Sequence, residues 1–117
     1  MRTQPLFAAL ALLALAGCVS DPAPHEQMRL SEQALEQARA VGATDESTEL
    51  KAAEDKLARA RANMATESFR DARMRAEQAE LDARLAEAKV LTLKSQEQLT
   101  LLQSRVDRLR KQLGEQR

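Results

Sequence analysis

Small and apolar residues recur at alternating steps of three and four along most of the chain, and this spacing is the strongest constraint on its fold. From residue 50, one row carries it: Leu50, Ala53, Leu57, Ala60 and Met64. Because an α-helix turns once in about 3.6 residues, such a row lies on one face of a helix, whereas a strand needs a period of two. The spacing therefore predicts helices that pack through narrow apolar stripes.

Three helices follow from these rows and from the residues between them. The first is predicted from about His25 to Val41, and Gly42 after it accepts the left-handed conformation that ends many helices. The second is predicted to begin after Thr44 or Asp45, whose side chains suit an N-cap. The stripe of the first helix contains Ser31, Ala34, Leu35, Ala38 and Val41.

The third helix is predicted to be the longest, at about 45 residues. Asn63 and Thr66 indicate a stop and a restart before it. Its stripe continues the same spacing through Phe69, Ala72, Ala76, Ala79, Ala83, Ala86, Val90 and Leu93. The expected organisation is helices one and two within 25–64, the third helix within 66–113 and a tail at 114–117.

Composition supports an all-α fold. The chain has no Trp or Tyr and only two Phe in 117 residues, although aromatic and β-branched residues are the ones that strands favour. We expect a short antiparallel helical hairpin or three-helix bundle whose long third helix extends as a coiled-coil-like rod. Thin helical assemblies of this size bury little surface, so a wide enzyme pocket is not expected.

The apolar stripe changes after Ala88, the last alanine of the chain. A new three-four row then uses large aliphatic residues only, and we call it the leucine seam: Leu99, Leu102, Val106, Leu109 and Leu113. The earlier stripe would continue instead through polar residues such as Glu97 and Ser104, so the apolar face is predicted to shift around the helix. If the third helix outruns the first two, its last 20 or more residues overhang the bundle by ~30 Å at ~1.5 Å per residue. An exposed seam of this kind predicts docking to another envelope protein or to a second copy; the alternative is a lone helix that frays in solution.

The amino terminus has the order of an export signal. Arg2 precedes an apolar run at residues 6–16, which is too short at ~17 Å to cross a ~30 Å hydrocarbon core. Leu15-Ala16-Gly17-Cys18 resembles the lipobox of bacterial lipoproteins, and that resemblance implies cleavage between Gly17 and Cys18 and acylation of Cys18. Residues 1–17 would then be a signal peptide. The alternative is an ordinary cleaved signal with an incidental cysteine.

Sorting and tether length follow from residues 18–24. An aspartate directly after the lipidated cysteine tends to retain lipoproteins at the inner membrane, and Val19 occupies that place here. The resemblance therefore implies the periplasmic face of the outer membrane. Pro22 and Pro24 disfavour helix, which predicts a short stiff tether.

Three segments resemble a family of bacterial envelope proteins known as a domain of unknown function, numbered 4398. They are "ALEQARAVGA", "LKAAEDKLARARANM" and "FRDARMRAEQAE", and the resemblance spans about Met28 to Ala88. It implies a helical lipoprotein. The major outer-membrane lipoprotein is similar in style, as a lipidated helix with a heptad seam, but it attaches to peptidoglycan through a terminal lysine and this chain ends in Arg117.

Catalytic, metal and nucleic-acid sites are not predicted. The acidic residues lie among arginines and lysines at surface spacings, the formal net charge is zero, and His25 stands alone beside the tether as a solvated residue. The methionines at 28, 64 and 74 read as core filler. The basic cluster near the end complements the helix dipole and comprises Arg105, Arg108, Arg110 and Lys111.

The sequence therefore predicts a non-enzymatic, lipid-anchored envelope protein that acts as a structural or adaptor module through helix–helix contacts. We expect no cofactor beyond the covalent lipid on Cys18, no metal, no small-molecule substrate and no nucleic-acid partner. Two alternatives remain open. One is a periplasmic chaperone or holdase that uses the exposed apolar helix, and the other is a regulator of a cell-wall enzyme.

Overall fold

The computed structural model describes residues 21–115 and contains three α-helices joined by short turns. They are α1 (His25–Ala40), α2 (Thr48–Ala65) and α3 (Phe69–Glu115). Within this range there is no strand. The prediction of an all-α fold with a long third helix is confirmed, and α3, at 47 residues, is ~70 Å long at ~1.5 Å per residue.

The turn after α1 is a Schellman motif centred on Gly42. The Gly42 amide donates to the Arg39 carbonyl and the Ala43 amide to the Ala38 carbonyl, both at 2.9 Å. Gly42 has φ +110°, a conformation that residues with a Cβ rarely adopt. The predicted role of Gly42 is therefore confirmed, although α1 ends one residue earlier than expected.

The N-cap of α2 is Ser47, so the prediction of Thr44 or Asp45 is wrong. The Ser47 side chain accepts a hydrogen bond of 3.2 Å from the Leu50 amide, one of the free donors of the first helical turn. Thr44 instead opens a separate turn, because its carbonyl accepts from the Ser47 amide at 2.9 Å. This turn delays the helix by two to three residues.

The turn after α2 repeats the hydrogen-bond pattern of the first turn without a glycine. The Glu67 amide donates to the Met64 carbonyl at 3.2 Å, and the Ser68 amide to the Asn63 carbonyl at 2.9 Å. Glu67 occupies the left-handed position with φ +57°. The break falls at residues 66–68, so α3 begins at Phe69 rather than residue 66 and continues past residue 113 to Glu115.

The core of the bundle is built mainly from alanine. The alanine stripe of α3 is fully or almost fully buried at Ala72, Ala76, Ala79, Ala83 and Ala86. Leu50 is the largest side chain with no exposed surface. The hydroxyl of buried Ser31 in α1 donates a hydrogen bond of 2.7 Å to the carbonyl oxygen of Ala76 in α3, a contact that requires close approach of the two helices. The small side chains permit this close packing.

Some residues predicted to lie in the core are partly or largely exposed in the structure, and Val41 and Phe69 are among the partly buried ones. Val90 is only partly buried, and Leu93 is 59% exposed because the bundle ends there. Met74 is 48% exposed, so it is not core filler. Met28 is buried and Met64 packs partly against the core, as predicted.

Candidate functional site

The carboxyl-terminal part of α3 extends beyond the other two helices. Along α3, the last hydrogen bond to the rest of the described bundle is donated by the Lys94 ammonium to the carbonyl of Val41, just after α1, at 2.5 Å. Every residue from 95 to 115 is exposed. We call residues 95–115 the overhang. At ~1.5 Å per residue it projects ~30 Å past the bundle.

The leucine seam lies along the overhang and is uncovered. Its five residues are between 44% and 67% exposed: Leu99, Leu102, Val106, Leu109 and Leu113. A shallow groove runs along the seam from Leu99 to Val106, and Gln103, Asp107 and Arg110 border it. The structure thus places the predicted interaction residues on one helical face that no other described part of the chain contacts. Whether they bind a partner remains a prediction.

The same row continues back along α3 into the bundle, a feature that we did not predict. Counting heptads from the seam toward the amino terminus reaches further exposed positions at Ser95, Thr92, Ala88, Leu85, Leu81, Gln78 and Met74. We call the whole row, from Met74 to Leu113, the outer face of α3. It spans 40 residues, or ~60 Å of helix.

The outer face lies nearly opposite the alanine stripe. Leu81 and Leu85 each stand two residues from Ala83, which is ~200° around the helix at ~100° per residue. Ala83 is fully buried, whereas Leu81 is 67% and Leu85 is 47% exposed. The prediction that one apolar face shifts around the helix after Ala88 is therefore wrong. Instead α3 carries two apolar faces, and within residues 21–115 only the alanine stripe packs against other helices.

The start of the described chain lies at the opposite end of the bundle from the overhang. The Arg73 guanidinium donates to the Pro22 carbonyl at 3.5 Å, and Asp21 lines a groove with Glu67 and Phe69 at the α2–α3 turn. The two helical turns reverse the chain twice, so α1 and α3 run in the same direction. Cys18 and Gly17 lie outside the described residues. The segment that leads to them enters at the beginning of α3.

Ion pairs and hydrogen bonds join the three helices around the alanine core. Cross-helix ion pairs connect Arg39 with Glu54, Arg61 with Glu32, Lys56 with Asp82, and Lys89 with Glu49. Glu80 accepts a hydrogen bond of 2.7 Å from Gln27 of α1 and another from Arg84. These donors, Gln27 first, lower the pKa of Glu80 below its usual value. The hydrogen bond from Lys89 lowers the pKa of Glu49 in the same way.

The ionisable side chains of the cross-helix ion pairs join neighbouring helices. Among residues 21–115 there is no cluster of three or more His, Cys, Asp or Glu side chains placed to hold a metal. The buried side-chain polar atoms in that range all have hydrogen-bond partners. His25 is exposed at the first turn of α1. In the same range, no helix is both long and apolar enough to cross a membrane.

Comparisons with known proteins identify the helical region. The family described as Domain of unknown function (DUF4398) matches residues 26–102. A DUF4398 family protein from Pseudomonas aeruginosa PAO1, known from a crystal structure, is 66% identical with a TM-score of 0.78. The alignment covers 82% of this chain and 100% of that one, so in that relative a helical region of this extent folds by itself. No curated protein sequence matches the chain.

Proposed function

Because the chain belongs to the family Domain of unknown function (DUF4398), whose name assigns no activity, we propose its function from the geometry. It is a lipid-anchored envelope protein that presents α3 as a docking rod. Its role is structural or that of an adaptor, exerted through helix–helix contacts along the leucine seam. The protein is not an enzyme.

The observation that supports this proposal is that the described chain begins at the opposite end of the bundle from the leucine seam. Pro22, four residues after Cys18 in the sequence, lies beside Arg73 near the start of α3. The overhang begins after Lys94 and points away from that end. A lipid on Cys18 would therefore hold the bundle at the membrane and direct the seam into the aqueous space. A helix with one large aliphatic row is suited to pair with another helix.

The anchor part of the proposal rests on the lipobox at residues 15–18. Each buried methylene contributes about 0.8 kcal/mol, so two or more acyl chains on Cys18 give stable attachment. Val19 after the cysteine favours sorting to the periplasmic face of the outer membrane. The stiff segment with Pro22 and Pro24 keeps the bundle close to the headgroups.

Acylation is tested with Cys18→Ser in the full chain. We expect the wild-type protein to incorporate a palmitate analogue and to sediment with outer membranes, because Cys18 carries the lipid. The variant should lose both properties while it keeps its helical circular dichroism. A Cys18→Ser protein that still labels and sediments with membranes contradicts the lipid-anchor proposal.

Docking is tested with a photo-crosslinking amino acid placed at Gln103, beside the seam, in intact cells. The matched control places the same amino acid at Ala58, on the exposed side of α2. We expect one stoichiometric envelope protein, or a second copy of the chain, from Gln103 and neither from Ala58. Many unrelated captured chains would instead support the holdase alternative, and a cell-wall enzyme the regulator alternative. No adduct above the Ala58 level contradicts docking through the seam.

A further inference from the structure

We propose that the leucine seam binds an amphipathic helix of a different protein, and that the apolar row of that helix is bordered on both sides by acidic residues. The inference rests on the proposed function, in which the overhang docks a partner, and it adds the chemistry by which that partner is recognised. Its basis is the narrow width of the seam and the charge of the residues that border it.

The seam is a narrow apolar row. At ~100° per residue, its five members fall within ~80° of the helix circumference, and Leu101 lies well outside that arc. A strict row of this width is the geometry of a coiled-coil seam, whereas a helix that buries one side in a core presents a broader apolar face. The overhang contains no aromatic residue of the kind that anchors helices in a membrane interface. The seam therefore suits one partner helix.

The positions that border the seam carry basic or uncharged side chains only. In a coiled coil these positions stand beside the apolar row and face the corresponding positions of the partner. All of them are exposed, and in chain order they are Gln96, Gln98, Gln103, Arg105, Arg110 and Gln112. The acidic residues Glu97 and Glu115 lie on the far side of the helix, ~160° from the centre of the seam.

The charges of Arg105 and Arg110 are available to a partner. No acidic residue stands three or four positions from Arg105, so no neighbour on its own helix compensates its charge. The Arg110 guanidinium lies 3.8 Å from the carboxylate of Asp107, which also lines the groove. Both side chains are largely exposed, so this pair contributes little and leaves guanidinium donors for a partner. The helix dipole does not account for the two arginines, because it acts within the last turn and α3 continues to Glu115.

A second copy of the chain does not supply acidic borders. A parallel pair in register places Arg105 of one copy against Arg110 of the other. Two antiparallel overhangs paired along the whole seam place Leu102 opposite Val106, and Arg105 then meets its own copy. An antiparallel overhang that lies on the bundle half of α3 instead places Arg105 near Arg84. These arrangements bring like charges together, whereas an acid-bordered helix pairs with both arginines of the seam.

Two synthetic peptides test the charge preference. Both are helices of about three heptads with leucine at every row position, and their border positions are all glutamate in the Glu peptide and all lysine in the Lys peptide. The protein is a fragment of residues 21–117, which holds all three helices, and binding is measured by fluorescence anisotropy of the labelled peptides. We expect the Glu peptide to bind with a dissociation constant about tenfold lower than that of the Lys peptide. Equal binding of the two peptides, or no binding of the Glu peptide, would overturn the proposal.

Charge reversal locates the preference at the border of the seam. The double variant Arg105→Glu and Arg110→Glu should prefer the Lys peptide, whereas Arg105→Lys with Arg110→Lys should keep the preference for the Glu peptide. The matched control is Arg108→Glu with Lys111→Glu, which changes the net charge equally but on the far side of the helix. It should leave the preference unchanged. A reversal by this control as well would show attraction by net charge alone and would overturn the proposal.

The same fragment tests the role of the apolar row. Leu102→Ser should raise the dissociation constant of the Glu peptide about tenfold, because it removes a central side chain of the seam. The matched control is Leu101→Ser, since Leu101 is 53% exposed and Leu102 is 54% exposed but only Leu102 lies in the seam. The control should leave the constant unchanged, and helical circular dichroism of each variant is measured beside wild type. An unchanged constant for Leu102→Ser would contradict binding through the seam.

Vesicles of phosphatidylethanolamine and phosphatidylglycerol test whether the seam binds a membrane instead. They should not displace the Glu peptide from the fragment, because the seam is too narrow to form a membrane-binding face. Displacement of the peptide by vesicles would make the seam a membrane contact and overturn the proposal.

Photo-crosslinking from Gln103 in intact cells connects the charge preference with the natural partner. The adduct should disappear in the full chain with Arg105→Glu and Arg110→Glu, and it should persist with Arg108→Glu and Lys111→Glu. An adduct that persists in both variants, or one formed with a second copy, would overturn the acid-bordered partner and leave docking through the seam standing. No adduct from the wild-type chain would contradict docking itself.

Discussion

The Leu50→Ala substitution distinguishes the bundle core, which stabilises the fold, from the exposed overhang, which we propose binds a partner. Leu50 has no exposed surface and lies among the alanines of the core. Replacing such a leucine with alanine costs about 2 to 5 kcal/mol, since the transfer energy of the side chain is lost and a cavity remains. Residues 25–94, which form the bundle, hold a total of roughly 4 to 10 kcal/mol at typical stability per residue. Leu50→Ala should therefore remove a large share of the free energy of unfolding.

Thermal unfolding of the fragment of residues 21–117, followed by helical circular dichroism, measures this effect. At roughly 4 to 8 °C per kcal/mol for a domain of this size, Leu50→Ala should lower the midpoint by about 10 °C or more. The control is Leu102→Ala, which changes a side chain that is already 54% exposed. It should leave the midpoint of the bundle within about 2 °C at concentrations low enough to keep the chain monomeric.

The reasoning fails if the two variants lose the same stability. Equal losses from Leu50→Ala and Leu102→Ala would mean that the overhang folds back and shares the core. A change below about 0.5 kcal/mol for Leu50→Ala would mean that the site collapses without leaving a cavity, in which case the alanine core is looser than the structure indicates.

The turns and the acid response give three more expectations, each measured by urea unfolding of the same fragment. Glu67→Gly should raise the free energy of unfolding by about 0.5 to 1 kcal/mol, because it relieves the left-handed conformation of Glu67; a loss of stability would contradict this account. Gly42→Ala should lower it by about 1 to 2 kcal/mol for the converse reason, since the nearest side-chain atom is 3.6 Å from the added Cβ and strain comes from φ alone. Hydrogen bonds from Gln27 and Arg84 lower the pKa of Glu80 in the folded state. They therefore stabilise the fold above the unfolded-state pKa of ~4.3, and this stability is lost as the pH falls through the folded-state pKa. Glu80→Gln should flatten the decline in the free energy of unfolding between about pH 5 and pH 3, and an unchanged slope would refute this expectation.

The helices and their inward faces could be predicted from the sequence because periodicity reports directly on burial. The alanine stripe and the row from Leu50 to Ala60 are buried as expected. The cap of α2 could not be chosen in the same way. Thr44, Asp45 and Ser47 all suit an N-cap, and only the extra turn closed by the Thr44 carbonyl excludes the first two.

The turn at Glu67 and the outer face were hidden for different reasons. Glutamate has no preference for the left-handed conformation, so only the backbone hydrogen bonds at that turn reveal it. Polar residues interrupt the apolar row of the outer face, at Thr92 and Ser95 next to the seam and at Gln78 near the other end. Its signal was present in the spacing of Leu81 and Leu85. The exposure of Leu81 and Leu85 could be interpreted only once the lengths of α1 and α2 were known.

The two faces of α3 differ in side-chain size, and that difference suits the outer face to the separate partner that we propose for it. Alanine removes little apolar area from water when it is buried, so its gain comes from letting α1 and α2 approach α3 closely. Such contacts are fast to form within one chain because short turns already hold the helices together. A partner that is not covalently joined must also offset the loss of translational and rotational freedom, which needs larger buried side chains. Leucine on the outer face supplies that area, whereas an alanine row there would not hold a separate helix.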